Sequence, residues 1–283
     1  MRFAFAGIDF LGGVFDELIR QGWQPVRLFT RPCDGIYDFN DEVVARAREL
    51  RVSVRSSRIN SSELADLKEL RCEALVVAGY PWLVTGWEPF VPYAVNFHPS
   101  PLPMGRGPYP LFRAILDNVP TWGMSVHRLE PSFDTGALLA QELFPLNPAE
   151  THDTLLARCQ MASRRLAAVL AADLPRLWKN ARPQGEGSYW RRISDRERTI
   201  DWNDAPADIL RTVRAFGSIE ALAAVGGKLL YVSAASGWNE RHAYAPGTVA
   251  HRHRRHLTIA ARGGFVQFTD WNSSPAESRR RQV

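Results

Sequence analysis

Ala74-Leu75-Val76-Val77-Ala78 is an unbroken apolar run of five residues, followed at once by Gly79-Tyr80. So short a run, with no polar face, suits a strand covered on both sides better than a helix. Segments of the same texture lie around it. Arg2 to Gly7 reads as a buried first strand, Pro25 to Phe29 as a second, Val52 to Val54 as a short one and Tyr93 to Phe97 as another. Between them come stretches with helical spacing. Val14 to Gln21 places Phe15, Leu18 and Ile19 on one face, with Gly22 as the stop, and Asp41 to Leu50 turns Val43, Val44, Ala47 and Leu50 inward. Ser61 to Leu70 starts at Ser61 or Ser62, either of which can cap it. Alternating strands and helices predict an α/β fold with a mostly parallel sheet covered on both faces.

Further along, Tyr109 to Asn118 reads as a helix, Thr121 to Leu129 and Ala137 to Phe144 as strands. His152 to Leu170 is a long amphipathic helix, with Leu155, Leu156, Cys159, Ala162, Leu166 and Val169 on its apolar side. The pattern breaks at Arg182-Pro183-Gln184-Gly185-Glu186-Gly187, which reads as a linker. Beyond it, Ala207 to Phe216 is helical. Short strands are expected at Leu222 to Val225, Leu229 to Ala234, Pro246 to Ala250, Leu257 to Ala261 and Phe265 to Thr269. One helix with five short strands predicts a small β-barrel. Two domains result, 1–187 and 188–283, as the length of 283 residues also suggests.

Composition narrows the function classes. Hydrophobic residues make up 45% and charged residues 23%, as in a globular protein. No apolar run reaches membrane-spanning length and no secretory signal is visible, so a cytoplasmic location without a membrane partner is expected. Cys33, Cys72 and Cys159 are odd in number and unpaired by spacing, which fits reduced thiols and no metal site. Gly7, Gly12 and Gly13 do not make G-x-G-x-x-G, and no P-loop Lys follows, so a dinucleotide or nucleoside-triphosphate site is disfavoured. The net charge is +5, with basic residues gathered at His251-Arg252-His253-Arg254-Arg255-His256 and Arg279-Arg280-Arg281. Such runs are expected as a solvated hairpin tip and a tail, although a basic turn can also meet phosphates.

The strand ending Tyr93 to Phe97 runs into Asn96-Phe97-His98-Pro99-Ser100-Pro101-Leu102-Pro103, and Asp134-Thr135-Gly136 follows between two strands. In open parallel sheets, ligands sit beyond the carboxyl ends of the strands, where Asn96 and His98 fall. Asn96 can donate to a developing oxyanion, His98 can donate or carry a proton, and Asp134 can orient His98. Those are the catalytic parts of an acyl-type transfer with no covalent intermediate. Ser100 has no base spaced for it and is expected to serve in loop hydrogen bonding.

The order N-x-H-x-S-x-L-P-x-x-R-G (96–107), G-x-S-V-H (123–127) and D-T-G (134–136) resembles the formyltransferases that use 10-formyltetrahydrofolate, most of all the two-domain methionyl-tRNA formyltransferase type. The likeness covers nearly the whole chain. Arg198 to Trp202, Arg211 to Phe216 and Ala245 to Thr248 are similar to parts of the family's C-terminal domain. The resemblance implies a Rossmann-like catalytic domain, an OB-like C-terminal barrel and 10-formyltetrahydrofolate as co-substrate. It implies folate contacts at Gly79, Tyr80, Trp82, Leu83, Thr135 and Gly136. It also implies that Asn96 and a protonated His98 stabilise the tetrahedral oxyanion, each donor contributing roughly 2.7–4 kcal/mol. Two departures bear on the acceptor. The loop Thr30 to Asp41 carries Arg31 against Asp34, Asp38 and Asp41, a charge that repels a tRNA acceptor stem. His127 is more like the members that formylate small amines. A small-molecule amine, such as an amino sugar or a hydroxyornithine-type siderophore precursor, is therefore the expected partner. Methionyl-tRNA is the alternative, hydrolysis of the formyl donor a further one, and an inactive RNA-binding protein a third. A homo-oligomer is compatible with all of them.

Overall fold

The computed structural model describes residues 1–35 and 38–275. Ile36, Tyr37 and the basic Arg279-Arg280-Arg281 run named above lie outside the described residues. The chain divides into two compact units. The first comprises Met1–Pro110, Thr121–Pro145 and Ala157–Trp190; the second comprises Leu111–Pro120, Leu146–Leu156 and the chain from Arg191 onward.

In the first unit, β1 (Arg2–Gly7), β2 (Gln24–Phe29), β3 (Val54–Arg55), β4 (Ala74–Ala78), β5 (Tyr93–His98), β6 (Thr121–Arg128) and β7 (Leu138–Pro145) make one sheet in the order β3-β2-β1-β4-β5-β6-β7. The pairs from β3 to β5 are parallel; β5–β6 and β6–β7 are antiparallel. Helices α1 (Gly12–Arg20), α2 (Asp41–Glu49) and α3 (Ser61–Glu69) connect the parallel strands.

Alternation along β1 explains why both faces are covered. Phe3 and Phe5 stack on Phe15 of α1 at ring distances of 5.7 and 5.3 Å. Ala4 and Ala6 instead join the buried cluster of Leu64, Leu67, Leu75, Val77 and Tyr80. Complete burial of a Phe side chain stabilises by about 1.5–3 kcal/mol, so Phe3, Phe5 and Phe15 anchor one layer of the core.

The cap of α3 differs from expectation. Asn60, not Ser61 or Ser62, accepts the backbone N–H groups of Ser62 and Glu63, both at 3.0 Å. Asn60 is in extended conformation while both serines already lie inside the helix. Asn60→Ala is expected to lower stability by about 1 kcal/mol, read from urea denaturation, whereas Ser61→Ala leaves the midpoint unchanged.

The long helix α5 runs His152–Ala172, past the expected end at Leu170, and α6 (Leu174–Lys179) follows, capped by Asp173. Leu155, Cys159, Ala162 and Leu166 are buried as expected, but Val169 is 48% exposed and Leu170 is buried in its place. The remaining elements are α4 (Pro110–Leu116), α7 (Asp195–Arg198), α8 (Pro206–Phe216), β8 (Ala221–Val225), β9 (Lys228–Asn239), β10 (Val249–His253), β11 (His256–Ala261) and β12 (Gly264–Asn272).

The second unit carries an antiparallel five-stranded sheet ordered β10-β11-β12-β9-β8, with α8 against β9 and β12. Ile209, Val213 and Phe216 form the buried side of α8. A Cβ on Gly264 would meet the Pro206 ring at 2.8 Å, so this glycine permits the close approach of helix and strand. The His251–His256 run is an exposed hairpin tip, with Arg254 at φ 53°. Among the described residues, no helix is long and apolar enough to cross a membrane, and no group of three His, Cys, Asp or Glu side chains could hold a metal ion. The three cysteines are free, and burial pushes the Cys72 thiol up to about 11.

Candidate active site

Strand register builds the site. Parallel pairing of β4 with β5 sets Val77 beside Asn96 and Ala78 beside Phe97, so Asn96 and His98 emerge at the carboxyl edge of the sheet next to Gly79. Antiparallel pairing of β5 with β6 sets Asn96 opposite His127 and His98 opposite Ser125. After β6 the chain turns through Asp134, whose φ is 58°, and its carboxylate points back to the end of β5.

Asn96, His98 and Asp134 converge. Asp134 Oδ1 lies 3.4 Å from His98 Nδ1 and accepts from Asn96 Nδ2 at 3.3 Å. Asp134 Oδ2 accepts the backbone N–H of Gly107 at 2.9 Å. His127 completes the cluster: its Nε2 lies 3.0 Å from Asn96 Nδ2 and 3.5 Å from Asp134 Oδ1. The Arg128 carbonyl, 2.7 Å from His127 Nδ1, can only accept, so Nδ1 carries a proton, while Nε2 faces the Asn96 amide and the Asp134 carboxylate. The same reasoning applied to His98 puts a proton on Nε2, which faces the Gly105 carbonyl at 2.8 Å.

Burial pushes Asp134 upward, yet His98, His127 and the Gly107 N–H together hold its carboxyl down at about 2. It is a carboxylate at any physiological pH. His98 is buried, and burial takes its imidazole below the usual histidine value, against the opposing pull of Asp134 and the Gly105 carbonyl. Burial therefore favours the neutral imidazole, while the carboxylate at 3.4 Å favours the cation.

The proline-rich loop is pinned from below. Ser125 Oγ donates to the Ser100 carbonyl at 2.6 Å and accepts from the Leu102 N–H at 3.1 Å. The Leu102–Pro103 peptide is cis. Ser100 itself is fully buried, which removes it as a nucleophile for an external substrate.

The other sequence candidates are placed less uniformly. Gly79, at φ 76°, adjoins the site. Tyr80 is 8% exposed, and its hydroxyl donates to the Ser57 carbonyl at 2.8 Å while accepting the Ile59 N–H at 3.2 Å, so burial raises it to about 12. Trp82 packs edge-on against Tyr80 at 5.1 Å, and Leu83 is exposed. Thr135 is exposed and donates to the Ser132 carbonyl; Gly136 is buried, and a Cβ there would lie 2.0 Å from the Arg128 carbonyl. Gly105, Gly107 and Gln184 also shape the site; Gly107 closes the 96–107 motif, whereas Gln184 lies in a stretch whose composition reads as a linker.

Two family models cover most of the chain: formyl transferase over residues 33–169 and formyl transferase, C-terminal domain, over residues 192–275. A methionyl-tRNA formyltransferase of Roseobacter denitrificans is 30% identical over 223 residues, which are 76% of this chain and 73% of that relative. The chain belongs to the formyltransferase family. Among solved structures, this formyltransferase is similar to HypX from Aquifex aeolicus in complex with tetrahydrofolic acid, with a TM-score of 0.71 at 19% identity. That match covers 99% of this chain and 46% of HypX, so the formyltransferase spans about half of HypX's length. It is also similar to an N-formyltransferase from Helicobacter canadensis in complex with folinic acid and dTDP-3-aminofucose, with a TM-score of 0.69 at 17% identity, covering 94% of this chain and 98% of that one. At these identities the structural matches support the shared fold.

Proposed function

We propose that this formyltransferase moves a formyl group from 10-formyltetrahydrofolate to the amine or hydroxylamine of a small molecule, an amino sugar or a hydroxyornithine-type siderophore precursor. The chemistry rests on the convergence of Asn96, His98 and Asp134 at the end of β5. The acceptor amine attacks the formyl carbon and a carbon–nitrogen bond forms. Asn96 Nδ2 stabilises the resulting oxyanion by turning one N–H away from Asp134, the longer of its two contacts at 3.3 Å. Neutral His98 takes the proton that the amine loses, and the imidazolium pairs with the Asp134 carboxylate. The proton then passes to N10 of the folate as the bond from the formyl carbon to N10 breaks. Gly79, Trp82, Leu83 and Thr135 would meet the folate. Tyr80 would act from beneath them, by packing against Trp82 and holding the Ser57–Ile59 backbone.

The single observation that carries the choice of a small acceptor is the charge of the loop after β2. Arg31 is the sole Lys or Arg between Thr30 and Asp41, and it is spent on an ion pair with Asp38 in the same loop. Asp34 and Asp41 leave that loop acidic, which opposes a phosphate-rich stem. Methionyl-tRNA remains the second reading, favoured by the 30% identical relative of that name.

A panel of amino sugars, hydroxyornithine-type amines and charged initiator tRNA, incubated with 10-formyltetrahydrofolate and read by mass gain of one formyl group, separates these readings. Formylation of a small amine is the expected result. Formylation of tRNA alone would sink the proposal, and so would release of formate at full rate without an acceptor.

A further inference from the structure

The segment from Arg182 to Trp190 has the composition of a linker, yet hydrogen bonds tie it into the site at both ends. Arg182 exchanges backbone hydrogen bonds with Leu138 at 2.8 and 2.9 Å. The Arg106 N–H donates to the Ser188 carbonyl at 3.0 Å, and the Trp190 N–H donates to the Arg106 carbonyl at 2.7 Å. Ser188 Oγ accepts the Gly105 N–H at 3.0 Å. This strap therefore lies along the loop whose Gly105 carbonyl meets His98 and whose Gly107 N–H meets Asp134.

Gln184 sits at the middle of the strap and joins both loops of the site. Its Nε2 donates to the Asp134 carbonyl at 2.9 Å and to the Gly136 carbonyl at 2.7 Å. Its Oε1 accepts from Arg106 Nε at 3.1 Å and Nη2 at 2.9 Å. Both amide protons and the amide oxygen are in use, and exchanging N for O would set an oxygen against two carbonyls and an NH2 against a guanidinium. The orientation is thus fixed. Asp134 needs such support, because its φ of 58° is a left-handed conformation that disfavours L-residues with a Cβ.

We infer that Gln184 is a positioning residue of the transfer reaction. It holds the Asp134 turn and the Arg106–Gly107 loop in one register, so that the Asp134 carboxylate meets both the Gly107 N–H and His98. The inference rests on the catalytic reading of Asp134 only for its effect on rate; its geometric content stands apart from that reading.

Gln184→Glu is the informative variant. The new carboxylate keeps an acceptor for Arg106 and gains an ion pair with it, so a strap that merely needs anchoring is preserved. It loses the donor to Asp134 and Gly136 and puts lone pairs against their carbonyls. Amide hydrogen exchange at Gly107, read by NMR, is expected to accelerate at least tenfold in Gln184→Glu, while exchange in β1 and β4 is unchanged. Native-like exchange at Gly107 in this variant overturns the inference. With the acceptor found by the amine panel, kcat is expected to fall at least tenfold while KM for 10-formyltetrahydrofolate stays within twofold. The ratio of variant to native kcat is expected to rise as pH falls through the titration of the introduced carboxyl, since its protonated form again donates to a carbonyl. If Gly107 exchange accelerates and kcat does not change, the positioning role of Gln184 stands and the catalytic assignment of Asp134 fails. Gln184→Met, which removes both halves of the clasp without setting a charge against the carbonyls, is also expected to exchange at Gly107 at least tenfold faster than the native protein; native-like exchange overturns the role of the clasp.

Discussion

Asp134→Asn is expected to lower kcat for formyl transfer about 1,000-fold, within the range that general acid–base groups supply. The hydrogen bonds dictate how the replacement sits. The Gly107 N–H, now 2.9 Å from Oδ2, requires an oxygen, so the new amide nitrogen must turn toward Asn96 and His98. There its protons face the Asn96 Nδ2 donor, and one of them occupies the His98 Nδ1 lone pair that takes up the amine's proton. The counter-charge for the imidazolium is lost in the same step. Native kcat is expected to have an acidic limb that reports His98, below the ordinary histidine value of 6.5, because burial disfavours the cation. Removing the Asp134 charge removes an upward pull on His98, so the limb moves to still lower pH in the variant. Stability carries a second signature. Asp134 is held at about 2 in the folded protein against an ordinary value of 3.8, so its contribution is present above pH 3.8 and is lost as pH falls toward 2. Denaturant titrations between pH 5 and pH 2 are expected to show a steeper loss for the native protein than for Asp134→Asn. Equal slopes, or a variant kcat within tenfold of native, would contradict the role given to Asp134.

Much of this site is legible in the sequence because local rules agree with the global fold. The apolar run Ala74–Ala78 and the Tyr93 to Phe97 segment lie in strands of the buried sheet, and a ligand-facing position at the end of such a strand follows from topology alone. Asn96, His98 and Asp134 are polar residues where that topology wants function, and they do meet. What stays hidden depends on long-range pairing. His127 draws notice as a residue type, but its contact with Asn96 follows from the β5–β6 register, which no local pattern states. Gln184 is obscured by its neighbours, since Pro183, Gly185 and Gly187 read as a break in structure. Gly187 is in fact needed for contact, as a Cβ there would lie 2.2 Å from the Pro103 carbonyl. Asn60 is hard to single out as a cap because two serines, equally good capping types, come next. Strand β9 runs to Asn239, five residues past its expected end at Ala234, because Ser236 and Gly237 look like a turn while β12 continues to pair with them. The downward pull on His98 escapes a sequence reading for a related reason. Its type and its carboxylate partner are visible in the sequence, whereas the depth of burial that opposes its charge is a property of the packed sheet.

Gly107→Ala is the second substitution with a large expected effect, and it tests the strap and the carboxylate together. Gly107 has φ 100°, and a Cβ there would lie 2.5 Å from the Trp190 carbonyl and 3.0 Å from the Tyr189 ring. The nearest atom is backbone, and Trp190 is itself held by its N–H to Arg106 and by stacking on Trp122 at a ring distance of 5.5 Å. Neither side can give way cheaply. Either the strap lifts or the Gly107 peptide rotates, and rotation takes its N–H away from Asp134 Oδ2. The expected cost is about 2–3 kcal/mol of stability, the sum of left-handed strain and a displaced backbone contact. A chain of this size would show it as a fall in Tm of about 4–12 °C. Activity should fall about 100-fold in addition, because the carboxylate loses the donor that aims it at His98, a loss comparable to removal of one preorganised hydrogen-bond donor. Gly86→Ala supplies the control. Gly86 also has a positive φ, 68°, but nothing lies within 4 Å of its would-be Cβ. That variant should lose about 1 kcal/mol to backbone strain alone and keep native kcat. If the two variants prove equally stable and equally active, the contact between Gly107 and Trp190 is not what shapes the Asp134 site. If Gly107→Ala is the less stable but keeps native kcat, the loop is held by the strap while the aim of Asp134 must come from the Gln184 side of the turn.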